Sequence, residues 1–284
     1  MFRMQWKLMF HKKQVWFAFL FCLLFAVFSF AYEMKNPMVS NISGFWHYCG
    51  MGDSVSWSRF QVILSFLIAI PAMSFQWDVS DKTLAAICIR GSWKEYVKAK
   101  MKAVFWMEFI MVVIPFLLNL ILCLLFFAPV YSCAPSPYGD TIGEIHALAD
   151  NSWWAAGVAV PFSFFFEKFP ILYVLVFLIL LGIFVGFLGV VLISLSFWFR
   201  RYKILLFLPV FVLMKFGQTL DIWSYYTNHM QKGNLYINFN FWDYVSPMSY
   251  FGKVYPAFLI FILVLAGFVY WSYHIISRKE FTDV

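Results

Sequence analysis

The chain is poor in charge. Only 12% of its 284 residues are Asp, Glu, Lys or Arg, against 63% hydrophobic and 23% aromatic, with a mean hydropathy of +0.78. A soluble domain carries about twice that share of charge, so the composition excludes one. The common motifs of catalysis and phosphate binding are missing too. The one Gly-Lys pair, Gly252-Lys253, is followed by Val254, which rules out a phosphate-binding loop of the G-x-x-x-x-G-K-[ST] kind. No H-E-x-x-H, C-x-x-C or G-x-S-x-G occurs. Cysteine is scarce and makes no framework. Cys22 and Cys123 fall in apolar runs and Cys88 in a polar interval, which leaves Cys49 and Cys133 as a pair that an oxidising compartment would allow. Glu144, His146 and Asp150 offer one imidazole and two carboxylates on a short surface helix, too little for a metal site, and none is expected.

What fills the chain instead is apolar sequence. Six runs are long enough for a hydrocarbon core about 30 Å thick: residues 15–32, 60–77, 103–130, 169–199, 204–220 and 255–276. They predict an all-α integral membrane protein of six transmembrane helices, one domain over residues 1–284. An even number of spans places both termini on one side. Basic residues choose the side: Arg3, Lys7, Lys12 and Lys13, the cluster between residues 78 and 102, Arg200, Arg201, Lys203, Arg278 and Lys279 all fall on one face. Of the 21 basic residues only Lys35, Arg59, Lys168, Lys215, Lys232 and Lys253 lie elsewhere, which predicts cytoplasmic termini in a cell membrane. The net charge of +7 is therefore a topology signal, and no nucleic-acid partner is expected.

Residues 1–13 place Phe2, Trp6, Met9 and Phe10 on one helical face and Arg3, Lys7, His11 and Lys12 around the other. That pattern predicts a helix lying in the membrane interface. The interval 78–102 is the longest charge-dense stretch between two apolar runs and reads as two helices hinged at Gly91. Asp78 is placed to cap the first, whose Leu84, Ile87 and Cys88 share a face. Ser92-Trp93-Lys94-Glu95 is a capping box for the second, which leads through Lys98, Lys100 and Lys102 into the run from Ala103. From spacing alone this is either an interfacial connector or a docking element.

Three polar residues fall inside apolar runs. Glu108 sits near the start of the third, where a carboxylate can reach the interface or pair with a lysine such as Lys102; Asn119 lies deeper, placed to hydrogen-bond across helices. Lys215 lies in the fifth and is expected to snorkel outward or face a cavity. In the fourth run Gly182 and Gly186 make a small-xxx-small face for close packing. The segment 221–254, dense in Trp, Tyr and Phe, predicts short helices dipping into the outer leaflet.

Two phrases, Ser74-Phe75-Gln76-Trp77-Asp78 running into Ile89-Arg90-Gly91-Ser92-Trp93-Lys94-Glu95-Tyr96-Val97-Lys98-Ala99-Lys100, and Val245-Ser246-Pro247-Met248-Ser249-Tyr250-Phe251, carry a resemblance. With the N-terminal interfacial helix and the short basic tail, the layout resembles the membrane-spanning permease subunits of ATP-binding-cassette exporters of the six-span, type V kind, over nearly the whole chain. It departs from larger members in having no extracellular domain and no fused nucleotide-binding domain.

The resemblance implies a bacterial exporter permease for an amphipathic cargo, an antimicrobial peptide or a lipid-like molecule. Two separate ATPase subunits would bind the ATP and Mg, and a second six-span permease, identical or homologous, would complete the assembly; this chain itself would bind no cofactor. The resemblance also makes the helix 83–90 the coupling helix, with Thr83, Leu84, Ile87, Cys88, Arg90 and Trp93 engaging the ATPase. Spans one, two and five would line the path. Two other classes stay open: a membrane-embedded lipid-modifying enzyme such as an acyltransferase, and a non-catalytic membrane sensor.

Overall fold

A chain with this little charge must satisfy its backbone polar groups internally wherever it meets hydrocarbon, and the α-helix does so within one segment. The computed structural model describes residues 1–35, 48–50, 55–81, 83–84, 87, 91–127, 165, 168–199, 203–231, 240–247 and 255–278, and among these every regular element is helical. The order is α1 (Phe2–Phe10), α2 (Lys13–Met34), α3 (Val55–Leu67), α4 (Ala69–Ala72), α5 (Ser74–Ser80), α6 (Trp93–Phe126), α7 (Pro170–Trp198), α8 (Leu208–Gln231) and α9 (Tyr255–Arg278).

Among the described residues five stretches are long and apolar enough to cross a membrane: Lys13–Met34, Arg59–Ser80, Trp93–Phe126, Pro170–Trp198 and Phe258–Arg278. The fifth predicted run, 204–220, departs from expectation. Its first residues form a 3-10 turn over Lys203–Leu206, and α8 starts only at Leu208, so that the apolar part, Leu208–Leu220, is short. Pro209 stands in the first turn of α8, where its missing N–H costs nothing, and that favours starting the helix there. The second predicted run is likewise segmented into α3, α4 and α5. Pro71 removes one rung of the ladder and crowds the carbonyl a turn earlier, and the helix breaks nearby at Ile68.

The third run corrects another boundary. Instead of a short interfacial helix handing over to a span near Ala103, one 34-residue helix runs from Trp93 to Phe126. Its start is the predicted cap: the Glu95 backbone N–H donates to Ser92 Oγ at 3.3 Å. At 1.5 Å per residue, α6 is about 50 Å long, well over the hydrocarbon thickness.

α6 and the antiparallel α7 are the centre of the bundle, and glycines let them approach. A Cβ added at Gly186 would lie 2.8 Å from the Phe105 backbone oxygen, one at Gly182 would meet Val113 and Phe109, and one at Gly189 would meet Glu108. The small-xxx-small pair thus faces α6 directly. Around this pair α2 and α9 turn most of their side chains outward: Phe17, Phe28, Leu259, Ile260, Leu263 and Val264 are all exposed apolar residues. That is the reverse of a soluble surface and fits a helix bundle solvated by lipid.

The bundle has two ends with different chemistry. At one end α1, the end of α5, the start of α6 and the last turn of α9 meet; we call it the basic end. There Gln76 Nε2 donates to the Phe199 oxygen at 2.8 Å and Trp93 Nε1 to the Ile276 oxygen at 2.8 Å. At the far end, Asn119 Nδ2 donates to the Ala26 oxygen at 2.8 Å and its Oδ1 accepts from the Cys49 N–H at 3.0 Å, the cross-helix role its depth predicted. Tyr173 OH donates to the Pro247 oxygen at 2.9 Å, and Tyr48, Trp57 and Phe60 close around Phe116. Burial pushes the Tyr48 phenol well above its ordinary value, as a dry plug would. Residues 240–247 lie between α7 and α9 here: Trp242 meets Phe184 edge-on, and Phe241 stacks on Phe261. This segment is buried protein more than leaflet surface. Most of the aromatic stretch 221–254, and Cys133, lie outside the residues whose side chains are described.

Candidate functional site

The first candidate feature is a polar knot at the basic end. Along α6 the core-facing stripe reads Trp93, Val97, Lys100, Val104, Met107 and Met111, at helical spacing, so Lys100 falls in an apolar row. Its side chain is 1% exposed, and Nζ donates to Asp78 Oδ2 at 2.6 Å and to Gln5 Oε1 at 3.0 Å. Tyr96 OH donates to the same Asp78 oxygen at 2.7 Å. Asp78 therefore does not cap a helix, as its position before the connector predicted; it lies inside α5, buried, and anchors α6. Nor does Lys100 meet water. One ion pair with three hydrogen bonds ties α1, α5 and α6 into a unit, the kind of satisfied arrangement a buried charge requires.

The α1 helix follows this knot along its length. Met1 lies over Gly91, where an added Cβ would come within 2.4 Å of its side chain; Gln5 accepts from Lys100; Met9 enters the core; and Lys12 pairs with Asp81. Its predicted apolar face is only partly turned inward: Phe2 is exposed, while Trp6 and Phe10 continue as an aromatic row through Trp16 and Phe19, with centroids 5.1–6.0 Å apart. The buried positions are Gln5 and Met9, which an apolarity count passes over.

Of the coupling residues, Thr83, Leu84 and Ile87 are described and helical, whereas Cys88 and Arg90 lie outside the described residues. Thr83 Oγ1 donates to the Asp78 oxygen at 3.2 Å, while Leu84 and Ile87 are buried in the chain's own core. Trp93 is buried as well, stacked on Tyr96 and hydrogen-bonded to the last turn of α9. Replacing Trp93 with Phe keeps the ring and removes that donor. Because phenyl is also smaller than indole at this buried site, we expect a loss of at least about 0.5–1.5 kcal/mol, the net value of one such bond, and faster amide exchange confined to the end of α9. Exchange measured by mass spectrometry checks it; an unchanged α9 would mean the bond holds nothing.

The structure does not bring the intramembrane polar residues together. Glu108 is fully buried against Gly189, and both its carboxyl oxygens lack a hydrogen-bond partner. It does not pair with Lys102, which is exposed; six residues apart on one helix, the two point to different sides. Lys215 is exposed, as expected of a snorkelling side chain, and its Nζ donates to Gln218 Oε1 at 3.3 Å. Gln218 Nε2 in turn donates to Gln61 Oε1 at 3.2 Å, a polar link from α8 to α3. Among the described residues no three His, Cys, Asp or Glu side chains gather as metal ligands.

The second candidate feature is a seam between α2 and the α3–α5 span. At the basic end it opens into a groove of about 450 Å³ lined by Lys13, Phe17, Ile70, Met73, Trp77 and Phe207. At the far end it opens into one of about 330 Å³ lined by Phe25, Phe28, Tyr32, Lys35, Ser56 and Arg59. Arg59 lies over the Tyr32 ring at 5.5 Å, a cation–π contact. Between the two, Phe25 packs on Phe60 with ring centroids 5.2 Å apart, and Leu64 and Ile68 are fully buried. Each groove thus has an apolar aromatic wall, with one cation, Lys13, lining the first and two, Lys35 and Arg59, the second.

No family model matches the chain, and no curated protein or solved structure does either.

Proposed function

We propose that this chain is the permease subunit of an exporter for an amphipathic cargo, driven by separate ATPase subunits. The observation that carries the reading is the pair of grooves at opposite ends of one helical seam. A molecule with an apolar body and a head fits each: apolar walls take the body, and Lys13 at one end or Lys35 and Arg59 at the other take the head. The shared positive sign favours an anionic, lipid-like cargo over a cationic peptide. The packed stretch between is what a transporter would open by rocking one element against another.

The remaining parts follow in this scheme. α8 is the sixth crossing, returning the chain from the basic end near Phe199 to the far end near Pro247, with both termini at the basic, cytoplasmic end of a bacterial cell membrane. The connector 82–92 is the coupling element; Leu84 and Ile87 fasten it to the bundle, and the Asp78–Lys100 knot behind it is stiff enough to pass a push into α5 and α6. ATP and Mg stay on the two ATPases, and a second six-span chain completes the pair.

The test is ATP-dependent export of a fluorescent anionic amphiphile from vesicles holding the chain with any ATPase that co-purifies with it. Ile70→Trp fills the basic-end groove and Ser56→Trp the far one. Both are expected to lower export about tenfold, the effect of ~1.4 kcal/mol of lost fit, but only Ile70→Trp should also lower retention of the amphiphile from the basic side. Turnover of lipid without any ATPase would sink the reading and favour an embedded enzyme.

A further inference from the structure

On the other side of the bundle, sharing no residue with the seam, a third groove of about 410 Å³ opens between α6, α7 and α9. Its walls are Met101, Phe187, Ala266, Val269 and Tyr270, and its mouth carries Lys98 and Lys102. We infer that this groove binds an anionic phospholipid, with its phosphate between the two lysines and an acyl chain along the apolar floor.

Three observations carry it. Lys98 and Lys102 are four residues apart on one face of α6 and both exposed, an arrangement that repels unless an anion sits between. Among the described residues neither has an ion pair; the nearest acid on the helix, Glu95, has its carboxyl beside Gly91. Tyr270 begins a face of α9 that continues through His274 to Arg278 at helical spacing, and α9 itself contains no Asp or Glu.

The second observation is the gap itself. α9 meets the bundle through Trp93 on Ile276 and Trp198 stacked on Trp271 near the basic end, through Phe258 against Phe184 and Tyr244 at the other, and through Ile262 and Leu265 packed on the core between. On the basic side of Leu265 the groove opens, lined by Ala266, Val269 and Tyr270, and Tyr270 is 71% exposed. Third, the volume lies at the low end of ordinary ligand pockets, roughly 300–1,000 Å³, which suits a chain segment and not a folded partner. Basic pockets between transmembrane helices select anionic head groups in this way.

The probe is phosphatidylglycerol, titrated against phosphatidylcholine into the full-length chain in detergent and read by native mass spectrometry. The intact chain is expected to retain phosphatidylglycerol preferentially. Lys98→Gln/Lys102→Gln should weaken that binding about 30-fold, near fivefold for each lysine. Arg3→Gln/Lys7→Gln, which removes the same charge from exposed positions on α1, should leave it unchanged. Ala266→Trp, which fills the floor and keeps the lysines, should weaken it as well. Equal loss in the two charge variants would make the attraction diffuse and overturn the site. So would unchanged binding in Lys98→Gln/Lys102→Gln or in Ala266→Trp. Helicity and monodispersity of each variant, with Lys98→Arg/Lys102→Arg retaining affinity, separate loss of binding from loss of fold.

Discussion

Replacing Lys100 with methionine will destabilise the bundle by about 3–5 kcal/mol, the cost of leaving a buried charge without its partner. Asp78 and Lys100 are both buried, and the Asp78 oxygen that accepts from Lys100 would be left with the Tyr96 hydroxyl alone. Methionine matches the length of the lysine stem and lies in an otherwise apolar stripe, so packing is not what is lost. The double variant Asp78→Asn/Lys100→Met removes both charges and should recover most of the loss, because replacing a whole buried pair is often near neutral. Unfolding in detergent, followed by circular dichroism, supplies the comparison. A second readout follows from Gln5, which loses its donor: protease cleavage within α1 should accelerate in the single variant. Equal stability of the two variants would mean that the pair is not the anchor.

The second large effect is expected at Gly186. The group facing it is the backbone oxygen of Phe105, which cannot rotate away as a side chain can, so any larger residue pushes α6 from α7 along their common length. Gly186→Leu should cost at least about 3 kcal/mol, the upper end of ordinary overpacking, while Gly186→Ala falls within about 1–3 kcal/mol. Gly267→Ala supplies the contrast. With open space around it, the change should raise stability by about 0.5–1 kcal/mol through helix propensity alone. If Gly186→Leu unfolds at the same temperature as the intact chain, the close approach is not what joins the central helices.

Much of the architecture was legible in the sequence because its cause is local. Apolar runs predict five membrane-length helices, four of them within a few residues of where they lie and the third with a start ten residues too late, and Ser92 with Glu95 predicts the start of α6. The fifth run, 204–220, is not confirmed as a span, since a 3-10 turn takes up its first residues and only a short apolar helix follows. The knot was missed for a different reason. Asp78 and Lys100 read as polar residues of a watery interval and Gln5 falls in the interfacial helix, yet Lys100 meets partners 22 and 95 residues away, and no local rule pairs them. One signal was available: Lys100 falls in phase with Trp93, Val97, Val104 and Met107, and a lysine in an apolar phase has to find a counter-charge. The seam was readable only as a list of spans, because a groove depends on where α2 and the α3–α5 span part company.

The seat of α1 carries a consequence for synthesis. Gln5 and Lys100 are 95 residues apart, so at ~5–20 residues per second the helix is made roughly 5–20 seconds before the lysine that holds it exists. Through that interval α2 and the α3–α5 stretch are made while α1 waits, and its row of Phe2, Trp6 and Phe10 beside Arg3 and Lys7 suits it to rest at an apolar–aqueous boundary meanwhile. Its docking therefore marks the moment when the first three spans have come together, and a nascent chain stalled before residue 100 should carry α1 still undocked.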